Sequence, residues 1–196
     1  MRIFLDIGAY NGDTASDVLS SKHKFDKIYC FEPQPEMCKL IRAIGRDEIV
    51  VQEFGLWNKT CSTTLHWTRK TDGATVYPDK FPTSSKTISV KMVKASDWFA
   101  QNIKPDDYVV MKMNCEGAEC DILDDLFASE EYKKISALMV DFDVRKIPSQ
   151  KYREQEIRER LKVFKIPAVF ILEGQDLYNF NFKPGRWTHY WMDKIL

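Results

Sequence analysis

The sequence predicts an α/β domain whose core is a doubly wound, mostly parallel sheet of seven strands. Three observations indicate this fold class. Short apolar runs alternate with amphipathic helical patterns along most of the 196 residues, as expected for strand–helix–strand units. A glycine-containing turn directly follows the first apolar run, and the alternation lapses only near residues 60–94. We predict that this stretch is an antiparallel insertion in a single domain that spans residues 1–196.

The first half of the sheet follows from the N-terminal part of the chain. Residues 3–7 form an apolar run typical of a buried strand, and Asp13 then caps a helix with one apolar face. Residues 27–31 predict a second strand, Pro35 opens a second helix, and residues 49–54 predict a third strand. Strand, helix, strand, helix and strand in this order are typical of a parallel doubly wound sheet.

The insertion and the second half of the sheet complete the prediction. Residues 63–68 and 87–93 have the composition of antiparallel strands, and a polar loop over residues 70–85 joins them. A short helix that starts at Trp98 then leads back to the main sheet. The later elements are strands at 108–113, 136–142, 168–172 and 188–192, with helices at 117–127 and 149–164.

Composition and charge exclude several function classes. Lysine plus arginine and aspartate plus glutamate each number 29, so no basic surface is forced and nucleic acid is not an expected partner. We find no apolar run long enough to span a bilayer and expect no signal peptide before the first strand. The five cysteines are odd in number and include no CxxC pair, which argues against a disulfide framework and against zinc. We therefore expect a cytoplasmic protein.

The turn FLDIGAYNGDT, residues 4–14, carries the first functional signal. In the dinucleotide-binding fingerprint a second glycine lets the backbone approach a pyrophosphate, but Tyr10 stands at that place here. The turn also lacks the lysine of the NTPase phosphate loop. Asp6 and Asp13 would repel a phosphate and attract a cation. These features indicate S-adenosyl-L-methionine, which carries a sulfonium and an ammonium and has no phosphate.

Further contacts to this cofactor are predicted at the ends of the first three strands. Asp6 is expected to hold the ammonium, directly or through water, and Glu32 can accept both ribose hydroxyls. Leu56 or Trp57 can pack on the adenine ring. The full set predicted to bind the cofactor is Asp6, Gly8, Ala9, Tyr10, Asn11, Gly12, Thr14, Glu32, Pro33, Gly55, Leu56, Trp57 and Asn114.

The segment MKMNCEGAEC, residues 111–120, concentrates charge where a strand enters a helix. Together with FLDIGAYNGDT and YCFEPQPE, it resembles the FkbM family of S-adenosylmethionine-dependent methyltransferases, which carry related motifs in the same order. The resemblance covers residues 3–142. It implies a Rossmann-like class I methyltransferase fold with the last two strands as an antiparallel edge, and O-methylation of a hydroxyl on a sugar or secondary metabolite.

Two departures from the family pattern qualify this resemblance. The family usually has aspartate where this chain has Asn114, which removes a charge and weakens the case for a metal. The chain also starts at the first strand, without the leading segment of many relatives. We therefore expect either a minimal enzyme or one part of a longer protein, such as a fusion with a glycosyltransferase.

Catalytic candidates lie at the carboxyl ends of the fourth and fifth strands, where ligands bind in this architecture. Glu116 is the first candidate for general base or acceptor anchor, and Glu119 is its support. Lys112 is expected to neutralise these two carboxylates or to bind the acceptor, and Asp141 and Asp143 end the fifth strand. Glu116, Asp141 and Asp143 could also supply oxygen ligands to magnesium, but nothing in their spacing demands a metal and we predict none.

The sequence therefore favours an O-methyltransferase that acts on a hydroxyl of a sugar or glycan. Three alternatives stay open: a methyltransferase of another small molecule, a nicotinamide-dependent oxidoreductase, and a non-catalytic module that binds the cofactor. The expected partners are a small-molecule or glycan acceptor and a fused or associated glycosyltransferase. The oligomeric state is not predicted.

Overall fold

A computed structural model describes residues 1–68, 74–80, 83–173 and 186–196. Six strands in this part of the chain form a sheet in the order β10-β9-β8-β1-β2-β3, and every pairing within it is parallel. These strands are β1 (Arg2–Ile7), β2 (Lys27–Phe31), β3 (Ile49–Gln52), β8 (Tyr108–Met113), β9 (Ile135–Val140) and β10 (Ala168–Ile171). The order reverses between β1 and β8, so the carboxyl ends of these two strands mark the switch point where ligands bind in such sheets.

The insertion forms a second, mixed sheet in the order β4-β7-β5-β6. Its strands are β4 (Gly55–Trp57), β5 (Cys61–Thr68), β6 (Ala74–Thr75) and β7 (Thr83–Lys94). The long pairing of β5 with β7 is antiparallel, as the sequence predicted for this region. Residues 70–73 and 81–82 of the predicted polar loop lie outside the described residues.

Helices cover both faces of the parallel sheet, which explains why its strands are apolar along their whole length. Alternate residues of β1 separate the two faces: Leu5 packs with Trp98 and Leu123, whereas Phe4 packs with Ile41 and Trp191. Burial of such large apolar side chains stabilises the fold by roughly 1.5–3 kcal/mol each. The helices are α1 (Asp13–Ser20), α2 (Pro35–Ala43), α3 (Ala95–Asn102), α4 (Glu119–Ala128), α5 (Arg153–Phe164) and α6 (Arg186–Ile195), with short 3₁₀ turns at Glu131–Lys134 and Asp143–Lys146.

Two predictions about the C-terminal part are wrong. Residues 188–192 belong to helix α6 and not to a seventh strand, and β10 runs parallel to β9, so the described sheet has no antiparallel edge. The helix is favoured because Thr188, Trp191 and Met192, at positions i, i+3 and i+4, lie on one helix face and are all buried there. Trp191 packs against Phe4, with ring centroids 6.0 Å apart.

Candidate active site

The turn after β1 lies against the ends of both neighbouring strands. The backbone N–H groups of Gly8 and Ala9 both donate to the carbonyl of Phe31 at 3.1 Å, at the end of β2. Gly8 has φ 82°, and a Cβ added to it would lie 2.0 Å from the carbonyl oxygen of Asn114, at the end of β8. Glycine is therefore required at position 8 both for its backbone conformation and for this close approach.

Asp6 and Lys112 form a buried ion pair beneath this turn. The two residues are partners in the register between β1 and β8, and Nζ of Lys112 lies 2.9 Å from Oδ1 of Asp6. The same ammonium donates to the carbonyl of Gly8 at 2.9 Å. Burial raises the pKa of Asp6, although Lys112 acts in the opposite direction. Asp6 is therefore paired with a lysine of the protein, and the ammonium of Lys112 fixes the turn.

Glu32 holds the turn from the side of β2. Its Oε2 accepts a hydrogen bond from the backbone N–H of Tyr10 at 2.9 Å, and its Oε1 accepts one from the N–H of Gln34 at 2.8 Å. Only 4% of the residue is exposed. Burial raises the pKa of Glu32 to about 7, against the two amide hydrogen bonds that favour the charged form. Tyr10 is left-handed, with φ 50°, and its bond to Glu32 supports this conformation.

An open cleft of about 300 Å³ lies between the ends of the parallel strands and the mixed sheet. This volume is at the lower end of the range for small-molecule sites, about 300–1,000 Å³. The mixed sheet and the residue after it contribute an apolar wall of Leu65, Ala74 and Val76, which the sequence did not predict. The predicted residues that line the cleft are Gly8, Tyr10, Glu32, Pro33, Gly55, Leu56, Asn114 and Glu116.

Several residues predicted to bind a cofactor shape the turn from behind the cleft. Ala9 and Thr14 are buried, and Gly12 precedes α1 with φ 91°. The side-chain amide of Asn11 donates to Oδ2 of Asp13 at 3.0 Å, and the N–H of Asp13 donates back to Asn11 at 3.2 Å. These contacts set the direction in which the chain enters the helix.

Trp57 contacts α4 and does not line the cleft. Its indole N–H donates to Oδ2 of Asp121 at 2.6 Å. The hydroxyl of Tyr77 donates to the same oxygen, and Arg153 donates to Oδ1 at 2.7 Å. Trp57 thus fastens the mixed sheet to helices α4 and α5, and Leu56 is the apolar residue of β4 that lines the cleft.

The segment between β8 and α4 is ordered by Glu119. This side chain is fully buried, and its Oε1 accepts hydrogen bonds from the backbone N–H groups of Cys115 and Gly117, both at 3.0 Å. Burial, followed by the charge of Asp143, raises the pKa of Glu119 to about 7. The loop that Glu119 closes presents Glu116, with φ 59°, to the cleft. Glu119 therefore orders the backbone on both sides of Glu116.

Glu116 pairs with a buried lysine that the sequence did not single out. Nζ of Lys80 contacts Oε2 of Glu116 and lies 2.8 Å from Oδ2 of Asp143, and Lys80 is only 3% exposed. Lys146 pairs with the other oxygen of Asp143. The sequence led us to expect Lys112 beside Glu116. In the structure Lys112 pairs with Asp6, and the lysine beside Glu116 is Lys80. No periodic pattern in the sequence marks this residue, because it lies in a polar stretch between the strands of the insertion.

Asp141 and Asp143 lie at the end of β9, as predicted, but each has a cationic partner. Asp141 pairs with Arg145 at 2.5 Å. Burial and the neighbouring Asp143 raise the pKa of Asp141, whereas Lys80 and Lys146 hold that of Asp143 below its usual value in spite of burial. Within the described ranges, no three histidine, cysteine, aspartate or glutamate residues converge to hold a metal ion.

Comparison with known families decides what kind of protein this is. The family model of the Methyltransferase FkbM domain matches residues 6–165, which is most of the chain. The chain belongs to the FkbM methyltransferase family. The matched range contains the turn, Glu32, Lys80 and the segment from Lys112 to Asp143, so all the residues of the cleft described above lie within the FkbM domain.

A crystal structure of methyltransferase FkbM from Methylobacillus flagellatus KT at 2.20 Å resolution is similar to this FkbM chain. The two are 17% identical with a TM-score of 0.48, and the alignment covers 84% of this chain and 36% of that one. This chain thus corresponds to about a third of the length of that protein. No curated protein matches the sequence.

Membership in the FkbM family indicates methyl transfer and hence a methyl donor. The described α/β structure, with a parallel sheet and a mixed sheet, is consistent with the Rossmann-like class I fold that the sequence predicted. Among the helices that the structure describes, none combines the length and the apolar character needed to cross a membrane.

Proposed function

We propose that this FkbM-family chain is an S-adenosyl-L-methionine-dependent O-methyltransferase whose acceptor is a hydroxyl group of a sugar or glycan. The observation that carries the cofactor assignment is the carboxylate of Glu32 in the cleft wall, at the end of β2. A carboxylate at this place in a doubly wound sheet can accept hydrogen bonds from the ribose hydroxyls of an adenosine group. The same charge disfavours phosphate groups in the cleft.

The cleft offers this cofactor one contact for each of its parts. Glu32 would accept hydrogen bonds from the ribose hydroxyls, and the apolar side chain of Leu56 would pack on the adenine. Tyr10 and Asn114, which line the cleft together with Gly8, would border the methionine portion. Asp6 contributes indirectly, because its ion pair with Lys112 keeps the turn against the end of β8. When bound, S-adenosylmethionine supplies an electrophilic methyl group on its sulfonium and becomes S-adenosylhomocysteine.

Glu116 is the proposed general base. It lines the cleft with 27% of its side chain exposed, so an acceptor hydroxyl can reach it. Burial raises the pKa of Glu116 above its ordinary value of 4.5, and a carboxylate with a raised pKa is a better proton acceptor near neutral pH. The proton of the acceptor hydroxyl passes to the Glu116 carboxylate as the hydroxyl oxygen is methylated.

A second cleft of about 440 Å³ supports an extended acceptor such as a glycan. It adjoins the first one, with which it shares Tyr10 and Gln34. Trp67 of β5 and Met37 of α2 also line it, next to polar and charged groups. An indole ring beside polar groups suits a sugar ring, which has an apolar face and a hydroxylated rim.

The cofactor assignment is tested by isothermal titration calorimetry with S-adenosylhomocysteine. Glu32→Ala should weaken binding at least tenfold, equivalent to about 1.4 kcal/mol. Glu53→Ala, which removes an exposed glutamate paired with Arg42, is the matched control and should keep the wild-type affinity. If the wild type binds NADH and not S-adenosylhomocysteine, the chain is an oxidoreductase and the proposal is wrong.

The acceptor assignment is tested with S-adenosylmethionine carrying a labelled methyl group and a panel of mono- and oligosaccharides. Label should enter a sugar through an ether bond that is stable to mild base. Glu116→Gln should lower turnover by about 10²–10⁴ while the affinity for S-adenosylhomocysteine changes less than twofold. Label that enters only phenols or hydroxy acids would replace the sugar by another acceptor class. Tight cofactor binding without any labelled product would indicate a non-catalytic module.

A further inference from the structure

The buried lysine Lys80 lies where three separate segments meet beside the cleft. Lys80 follows β6 in the insertion, Glu116 lies between β8 and α4, and Asp143 begins the 3₁₀ turn after β9. The ammonium of Lys80 contacts both carboxylates, and the side chains of Lys80 and Asp143 are 4% and 3% exposed. The side chain of Glu116 is 27% exposed, so the cluster is open to the cleft only at this residue among the three.

The charges around Glu116 explain why the position of Lys80 matters. Two carboxylates that share one small buried space do not both ionise unless a cation separates them. Among the described residues, Lys80 is the cation that pairs with Glu116. The second lysine nearby, Lys146, pairs with Asp143. Other charged groups of the neighbouring elements have partners of their own. Lys112 pairs with Asp6, and Asp141 pairs with Arg145. Asp79 and Glu119 accept hydrogen bonds from backbone N–H groups.

We propose that Lys80 is a positioning residue that keeps Glu116 ionised and directed to the cleft, ready to take the proton of the acceptor hydroxyl. This inference rests on the proposed function, in which Glu116 is the general base. Without the ammonium, Glu116 would take up a proton and share it with Asp143. A protonated Glu116 can no longer remove the proton of a hydroxyl.

Stabilisation of the fold is not a sufficient explanation for a buried cluster of this kind. A buried ion pair is weak evidence for stability, since apolar residues of similar size often replace such pairs at no cost. Lys80 contacts Glu116, which lines the cleft, and it belongs to the same insertion whose residues Leu65, Ala74 and Val76 form the apolar side of that cleft. The insertion therefore brings both a wall and a cation to the site.

The test measures the protonation of Glu116 directly and needs no acceptor. Protein labelled with ¹³C at the glutamate side-chain carboxyl carbon is titrated by NMR, and the signal of Glu116 is assigned by its loss in Glu116→Gln. Lys80→Met should raise the titration midpoint of this signal by at least one pH unit. Lys80→Arg keeps the charge and should move it by less than half a unit. Lys133→Met, which removes an exposed lysine paired with Glu130, should not move it.

Each outcome decides between the alternatives. A midpoint that is the same in the wild type and in folded Lys80→Met overturns the role of Lys80. If Lys80→Met does not fold, the double variant Lys80→Met/Asp143→Asn removes one charge of each sign. Its midpoint should still lie above that of the wild type, and an equal or lower midpoint overturns the inference. Calorimetry with S-adenosylhomocysteine is independent of these titrations, so a failure to bind it would refute the proposed function while the raised midpoint stands.

Discussion

Replacing Gly8 by alanine tests the close approach between the turn and β8, and Gly45 provides a matched control. Both glycines have positive φ, 82° and 66°. A methyl group added at Gly45, which follows α2, would lie 3.9 Å from the carbonyl oxygen of Ala43 and would meet open space otherwise. The methyl group at Gly8 would lie 2.0 Å from the carbonyl oxygen of Asn114. The two variants therefore share the backbone strain and differ in the clash.

The expected magnitudes follow from these distances. A left-handed alanine costs about 1–2 kcal/mol, and this is the whole effect expected for Gly45→Ala. In Gly8→Ala the contact with Asn114 must open from 2.0 Å to at least 3.0 Å, a shift of about 1 Å. Such overpacking costs about 1–3 kcal/mol more. The shift also strains the hydrogen bond from Lys112 to the Gly8 carbonyl, which contributes about 1 kcal/mol. We therefore expect a total loss of about 3–6 kcal/mol for Gly8→Ala.

Urea denaturation followed by circular dichroism measures both losses. Calorimetry with S-adenosylhomocysteine measures the effect of each variant on ligand binding, because Gly8 lines the cleft and Gly45 does not. Gly8→Ala should abolish detectable binding, while Gly45→Ala should bind as the wild type does. If the free energies of unfolding of the two variants agree within about 1 kcal/mol, the approach of Gly8 to Asn114 does not constrain the turn and the reasoning is refuted.

Three further predictions concern other buried groups. Lys112→Met leaves the carboxylate of Asp6 buried without its cation and should lower the free energy of unfolding by about 3–5 kcal/mol. The double variant Lys112→Met/Asp6→Asn should lower it less. Equal losses of the two variants in urea denaturation would contradict the ion pair. Burial raises the pKa of Glu32 and of Glu119 from 4.5 to about 7, so the folded protein retains protons that the unfolded chain releases. The free energy of unfolding should therefore fall by about 3 kcal/mol per group as the pH rises from 4.5 to 7. Glu119→Gln should make this dependence on pH less steep. A free energy of unfolding that is constant over this pH range would refute the prediction. Trp57→Phe removes the hydrogen bond to Asp121 and should lower the free energy of unfolding by about 1 kcal/mol. The affinity for S-adenosylhomocysteine should stay unchanged. A tenfold weaker affinity would show that the indole contacts the ligand.

The sequence was sufficient to predict the parallel strands around the switch point. β1, β2 and β8 are short apolar runs because helices cover both faces of the sheet, and such runs leave few alternatives when a helical pattern separates them. The location of the charged side chains at their ends was predictable for the same reason. Glu32 and Glu116 follow β2 and β8 closely, and parallel strands bring their carboxyl ends to one edge.

The strand predicted at residues 188–192 shows where composition misleads. Threonine and aromatic residues are enriched in strands, and this stretch contains Thr188, Tyr190 and Trp191. The buried positions 188, 191 and 192 instead follow a helical period, and Ile195 continues it as a partly buried residue of the same cluster. In this segment the spacing of the apolar residues was the better guide than their β-propensity.

The side-chain partners of the site could not be derived from spacing. Trp57 follows Leu56 in β4, and successive residues of a strand point to opposite faces, so only one of them can reach the cleft. Which face is which depends on how the mixed sheet packs on α4. Lys80 is harder still, because its partners are 36 and 63 residues further along the chain. Only the folded insertion brings it to Glu116 and Asp143.

The charge of the turn is also different from the one that the sequence suggested. Asp6 and Asp13 were expected to make the turn acidic, but Lys112 neutralises Asp6. Asp13 lies exposed in the first turn of α1, where a carboxylate is favoured by the helix dipole whatever ligand is bound. Glu32 is therefore the carboxylate of this region that lines the cleft. Repulsion by two aspartates is not a sound reason to exclude a phosphate ligand.

The backbone amides supply a better reason. Glycine-rich turns bind phosphates through N–H groups that point away from the protein and have no internal acceptor. Four N–H groups of this turn have acceptors within the chain: those of Gly8 and Ala9 donate to the Phe31 carbonyl, that of Gly12 to the Ala9 carbonyl, and that of Tyr10 to Glu32. A phosphate would have to displace the Glu32 carboxylate to reach the N–H of Tyr10. A ligand with ribose hydroxyls and no phosphate needs only the acceptor capacity that Glu32 still has after accepting two hydrogen bonds. For this reason we favour the proposed cofactor, S-adenosylmethionine, over a nicotinamide dinucleotide.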